Sequence, residues 1–156
     1  MDILNDLLHN PFLITGIVSW CVAQVLKTII HAIVYKELDL LRLFGDGGMP
    51  SAHSATVSSL AMITGLRFGA GSFEFAVCAL LAIIVCHDAS GVRLETGKQT
   101  AVINELIRII AKKPGGNKNL EADLKEFVGH TPLQVMVGVI IGCLMALLMH
   151  YVILAQ

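Results

Sequence analysis

The sequence predicts an all-α, polytopic membrane protein: a four-helix transmembrane bundle with amphipathic interfacial helices between the third and fourth membrane helices. Three observations carry this expectation. Of 156 residues, 55% are hydrophobic and 15% charged, and the mean hydropathy is +0.74, too apolar for an ordinary water-soluble domain. Apolar runs at about 11–35, 51–68, 73–93 and 133–154 alternate with polar or glycine-rich segments. Most of these runs reach the ~20 residues that cross ~30 Å of hydrocarbon. The length suits one integral membrane unit over residues 1–156, without repeats or low-complexity tracts.

Each element has its own reason. The opening MDILNDLLHN carries Asp2 and Asp6 but no Lys or Arg, so it lacks the basic start of a signal peptide. Pro11–Tyr35 follows as the first membrane helix. The second, from Ser51, is shorter and rich in Ser and Thr. Phe73–Val92 and Leu133–Leu154 are the third and fourth. Between these two, residues 94–131 form the one sizeable segment outside the bilayer. There Val102, Ile103, Leu106, Ile107, Ile109 and Ile110 recur at helical spacing opposite Asn104, Arg108 and Lys112, as in a helix lying on a membrane surface. PGGN, Pro114–Asn117, breaks that helix, and a second short one carries Leu120, Leu124, Phe127 and Val128.

Basic residues give the orientation. Lys36, Arg42, Arg93, Lys98, Arg108, Lys112, Lys113, Lys118 and Lys125 fall on one side of the predicted threading, and only Arg67 on the other. The positive-inside rule makes the crowded side cytoplasmic and sends both termini outward. A net charge of −1 gives no footprint for nucleic acid. Cys21, Cys78, Cys86 and Cys143 all lie within apolar runs without metal-type spacing. With no HExxH or paired CxxC, neither a metal nor another cofactor is expected.

The threading brings four helix ends to the cytoplasmic face. They carry Lys27 with His31, Ser51 with His53, Asp88 with Arg93, and His130 with Gln134. Ionisable groups at membrane depth are costly and mark function. Two cations, two histidines and two helix N-termini describe an anion site. Between the first two helices, GDGGMPSAHSA supplies the glycine-rich backbone, including Gly48, that can close on phosphate oxygens.

GGMPSAHS resembles the PSGH-type motif of the type 2 phosphatidic acid phosphatase superfamily, which includes the vanadium haloperoxidases. GHTPLQV, Gly129–Val135, is similar to its later motif, where a His precedes x-Pro-x-Asp-Val. GGMPSAHSA, DASGVR and GHTP together resemble the divergent bacterial branch of that family. The resemblance implies metal-independent hydrolysis of a phosphomonoester. It makes His130 the nucleophile that forms a phosphohistidine and His53 the donor to the leaving alkoxide. Lys27, Arg93, Ser51 and Gly48 would bind phosphate. It also implies a bacterial inner membrane location, a phosphorylated lipid as substrate, and phosphatidylglycerol phosphate or phosphatidate as candidates because both arise on the cytoplasmic face.

Three departures from the family pattern bear on activity. No Arg-Pro pair follows Lys27. Leu124 and Lys125 stand where the family's arginine precedes the nucleophile, so Arg93 takes that role, with the cytoplasmic segment as an insertion. Gln134 replaces the carboxylate that orients the nucleophile. A glutamine holds an imidazole N–H but does not stabilise an imidazolium by charge, so the alternative is a non-catalytic binder or carrier of anionic phospholipid or polyprenyl phosphate headgroups. Plainer readings stand beside these. Lys27 could snorkel, Asp88 could brace Lys27 or Arg93 or instead orient His130, and His31 and His87 suit packing. Gly138 and Gly142 are a small-xxx-small pair that serves either packing within the bundle or a homodimer.

Overall fold

The computed structural model describes residues 3–37, 48–112 and 130–154, and among them every regular element is helical. α1 spans Ile3–Leu8, α2 Pro11–Tyr35, α3 Ala52–Phe68, α4 Phe73–Ser90, α5 Val92–Lys112 and α6 Pro132–Leu154. The expected break at Pro114–Asn117, the second short helix at Leu120–Val128, Gly129, and the residues Arg42, Gly45, Asp46 and Gly47 lie outside the described residues.

Local chemistry sets the helix ends. Asn10 caps α2 by accepting from the Phe12 and Leu13 amides (3.0 and 3.2 Å), and Pro11 needs no donor partner in the first turn. Lys36 ends α2 in the left-handed region, at φ 56°. Ser51 and Ser72 cap α3 and α4 in the same manner as Asn10. α6 begins with a capping box: the Gln134 amide donates to Thr131 Oγ1 (3.4 Å), while Gln134 Oε1 accepts from the Thr131 amide (3.0 Å).

Three stretches of described helix are long and apolar enough to cross a membrane: Pro11–Tyr35, Phe73–Ile110 and Pro132–Val152. Their lipid-compatible surfaces are plain in the exposed Ile17, Val25, Ile83, Ile84, Leu144 and Leu148. α3 differs. It is only 17 residues long, buries Ser54, Ser58, Ser59 and Thr64, and packs against α2, α4 and α6. Buried hydroxyls stay satisfied by bonding locally, as Ser59 Oγ does to the Thr56 carbonyl (2.8 Å) and Thr64 Oγ1 to the Leu60 carbonyl (2.7 Å).

Small residues set how closely α3 and α6 approach. A Cβ on Gly138 would lie 2.5 Å from the Ser51 carbonyl oxygen, and one on Gly142 would collide with that of Ala55. The Ser51 amide donates to the Gln134 carbonyl across the same contact (3.1 Å). Backbones touch here, so the Gly138–Gly142 pair serves packing within the chain.

Within the span Phe73–Ile110 the helix is divided: α4 closes at Ser90, short of the expected end near residue 93, and α5 begins at Val92. The cause is Gly91, at φ −109° and ψ −92°, whose amide still bonds the His87 carbonyl (2.9 Å) while its own carbonyl accepts from the Glu95 amide (3.0 Å). Arg93 therefore sits in the first turn of α5. That helix exposes Val102, Leu106, Ile109 and Ile110 and buries Thr100 and Asn104.

Candidate active site

Three helix ends meet beside the last third of α2: α3 starts, α4 finishes and α6 starts there. The His130 amide donates to the Ala89 carbonyl (3.0 Å), which fastens the residue before α6 to the last turn of α4. The Ser51 amide holds α3 to α6 through Gln134, as described. Gly48 joins α2 to the group. Its φ of +85° suits glycine, and a Cβ there would come within 3.3 Å of Lys27 Cγ. The loop residue thus lies flat on the stem of Lys27.

At the centre is His130, 4% exposed. Its Nδ1 lies 3.3 Å from Gln134 Oε1. The orientation of that amide follows from the network, because the same Oε1 accepts from the Thr131 backbone N–H, which can only donate. An oxygen facing Nδ1 requires the proton on Nδ1. In the neutral ring this contact favours the tautomer that carries its lone pair on Nε2.

Burial holds the His130 pKa below the ordinary histidine value. The Gln134 hydrogen bond opposes this, the charges of Lys27 and His53 reinforce it, and a hydrogen bond to the Gly48 backbone favours the charged form. His130 is consequently neutral near pH 7. These interactions bring together five of the residues singled out in the sequence: His130, His53, Lys27, Gly48 and Gln134. His53 is exposed, with its ring centroid 6.4 Å from that of His130 at 56°. One phosphoryl group can touch both rings at that separation. Lys27 is 4% exposed, too enclosed for snorkelling alone.

The remaining residues are placed differently. Ser51 is fully buried, and its hydroxyl accepts from the Ser54 amide (3.3 Å) and the Ser54 hydroxyl (3.0 Å), so it supports the helix end from beneath. Its own amide is taken by Gln134, leaving those of Ala52 and His53 uncommitted to the cap. Asp88 Oδ2 accepts from Arg93 Nε at 2.8 Å, with the side chains 43% and 46% exposed. Asp88 thus braces Arg93 across Gly91; the groups acting on His130 are those named above. His31 stacks on Tyr35, a packing role. All four cysteines are free, and Cys21 is exposed, so it does not pack in the interior.

Sequence reading missed Gln24. It is 6% exposed on α2, one turn before Lys27, and its Oε1 has no hydrogen-bond partner among the described residues. A single amide inside an apolar run was the available signal. The opposite end of the helices holds a crevice of about 340 Å³ between Phe12, Leu60, Phe68 and Phe73, edged by Glu74 and Cys78 and lined by no histidine, lysine or arginine.

Comparison with known proteins gives the family. The chain is 37% identical over 154 residues to the uncharacterized membrane protein YuiD of Bacillus subtilis (strain 168), covering 94% of this chain and 98% of that protein. No solved structure matches it. Residues 8–145, which include all the site residues named here, match the divergent PAP2 family. With three membrane-crossing stretches and a membrane-protein relative, this is an integral membrane protein, and the chain belongs to the divergent PAP2 family.

Proposed function

We propose that the protein is a metal-independent lipid phosphate phosphatase that hydrolyses a phosphomonoester through a phosphohistidine at the cytoplasmic face of a bacterial inner membrane. In this reading α3 is the fourth membrane helix, shielded from lipid by α2, α4 and α6, and α5 lies along the interface. The observation that carries the proposal is the environment of His130: buried, neutral near pH 7, with Nδ1 against Gln134 Oε1 and the His53 ring 6.4 Å away.

In the first step His130 Nε2 attacks phosphorus, the ester P–O bond breaks, and protonated His53 gives its proton to the leaving alkoxide. In the second, His53 takes a proton from water, the water oxygen attacks the phosphohistidine, and inorganic phosphate leaves with His130 restored. Lys27, Gly48 and the helix N-terminal amides stabilise the charge spreading over the phosphoryl oxygens. Arg93, held by Asp88, approaches from the α4–α5 side.

Sidedness ranks phosphatidylglycerol phosphate and phosphatidate first. Gln134 favours a second reading, a binder of anionic lipid headgroups, because it lends no charge to the cationic ring of a phosphohistidine. Phosphate release by purified protein in lipid nanodiscs, with and without EDTA, separates the two. We expect EDTA-resistant release that vanadate inhibits, an acid-labile phosphoryl-enzyme, and a loss of at least ~10³-fold in His130→Ala. Release by His130→Ala at the wild-type rate excludes the phosphohistidine route. Vanadate binding without turnover of any lipid phosphate establishes the binder instead.

A further inference from the structure

Gln24 is built into the same level of the molecule as the two histidines. Its neighbour Ala23 packs in one cluster with Ala52 and Ala55, so Gln24 lies at the height of the first turn of α3, which carries His53. The first turn of α6 is held there too, by the Ser51 amide on the Gln134 carbonyl. Lys27, one turn further along α2, reaches Gly48 and influences His130. Gln24 is therefore a buried polar group at the depth of the candidate site, and its Oε1 lacks a hydrogen-bond partner among the described residues.

A buried acceptor without a donor is costly, more so where no water competes. A leucine or methionine would fill the same space without that cost, so packing gives no reason for an amide. The missing partner must be a donor. Phosphate oxygens are acceptors and would be repelled by Oε1, whereas Lys27 and the helix N-termini already suit them. An alcohol hydroxyl supplies what Oε1 needs.

We infer that Gln24 is a specificity-determining residue that accepts a hydrogen bond from a hydroxyl next to the phosphate ester. The preferred substrate is then a phosphomonoester on a polyol head group, not a phosphate carried directly by diacylglycerol, in which both neighbouring hydroxyls are acylated. This inference rests on the phosphate-site reading above and narrows its substrate.

The test compares two non-hydrolysable phosphonates that differ only in hydroxyls, 3,4-dihydroxybutylphosphonate and butylphosphonate, titrated by ³¹P NMR against the full chain in nanodiscs. The wild type should bind the diol roughly tenfold more tightly. Gln24→Leu should reduce diol affinity to that of butylphosphonate and leave butylphosphonate binding unchanged, and Gln24→Met should do the same should the first variant fold poorly. Equal affinities in the wild type overturn the proposal while leaving the phosphate pocket intact. That is also the outcome if the amide is turned with its NH₂ toward the phosphate, or if Oε1 holds a water molecule. A diol preference that survives both substitutions overturns it as well. Binding of neither phosphonate removes the phosphate pocket, and this inference with it.

Discussion

The α2–α3–α6 corner and the α4–α5 arm each carry a cation toward the same end of the molecule, yet they treat it in opposite ways. Lys27 is enclosed, with Gly48 pressed on its stem and His130 within reach of its charge. Arg93 stands half exposed beside Asp88. The first arrangement is held by backbone contacts that tolerate no extra atom, the second by one ion pair next to a glycine break. Enclosed charge acts strongly on whatever shares its pocket, because little solvent screens it. An exposed pair of this kind contributes only ~0–1 kcal/mol and weakens with salt. In the proposed reading the corner supplies the chemistry and the arm supports it.

The largest expected effect breaks this comparison most directly. Lys27→Met should cost about 10²–10³-fold in kcat/KM, the scale of losing one preorganised donor at developing charge. Arg93→Met should cost less than about tenfold, a deficit that shrinks in high salt. Steady-state kinetics at two ionic strengths would decide. Equal, salt-independent losses would show that both cations bind phosphate alike.

A second test addresses the packing. Gly142→Ala places a methyl against the Ala55 carbonyl, and Gly138→Ala places one at 2.5 Å from that of Ser51. Overpacking of this kind costs about 1–3 kcal/mol, so both variants should melt at lower temperature in detergent. Gly16→Ala is the control: its new methyl would meet Thr56 Cγ2 at an ordinary 3.7 Å. If Gly142→Ala melts like Gly16→Ala, the close α3–α6 contact does not exist.

The smallest effects concern His130 itself. Its pKa is lowered from 6.5, chiefly by burial. The neutral ring is the attacking form, so kcat/KM should rise with pH along a limb whose midpoint is below 6.5. Gln134→Glu keeps the reach and the capping box while adding a negative charge beside Nδ1. The charge favours the protonated ring, so the limb should move to higher pH, and the plateau rate should rise by a few-fold. A limb that stays in place in Gln134→Glu would mean that residue 134 does not contact the histidine in solution.

Much of this was legible in the chain. Composition and run length announced a membrane protein, because hydrocarbon thickness sets a length that sequence displays directly. His53, His130 and Gln134 were readable because each sits at a helix end, and helix ends announce themselves through caps, prolines and glycines; Lys27 was readable as a charge inside an apolar run. The boundary at Gly91 was harder. Ser90, Gly91 and Val92 lie between two helical patterns, and a glycine is compatible with continuation, a kink or a stop. That one residue moved Arg93 from the end of α4 to the start of α5.

Sequence alone determined the membrane class, the polarity of the helix ends and the residue types available for phosphoryl transfer, since these depend on local periodicity and side-chain chemistry. Only tertiary structure decided which groups share a pocket. Whether Asp88 serves Arg93 or His130 depends on distances across Gly91. Whether Gly138 and Gly142 face another copy or α3 depends on which backbone comes close enough to exclude a methyl group. Gln24 became informative only once burial left its acceptor without a partner among the described residues. Each of these is a contact between chain segments far apart in sequence, and no local pattern specifies such a contact.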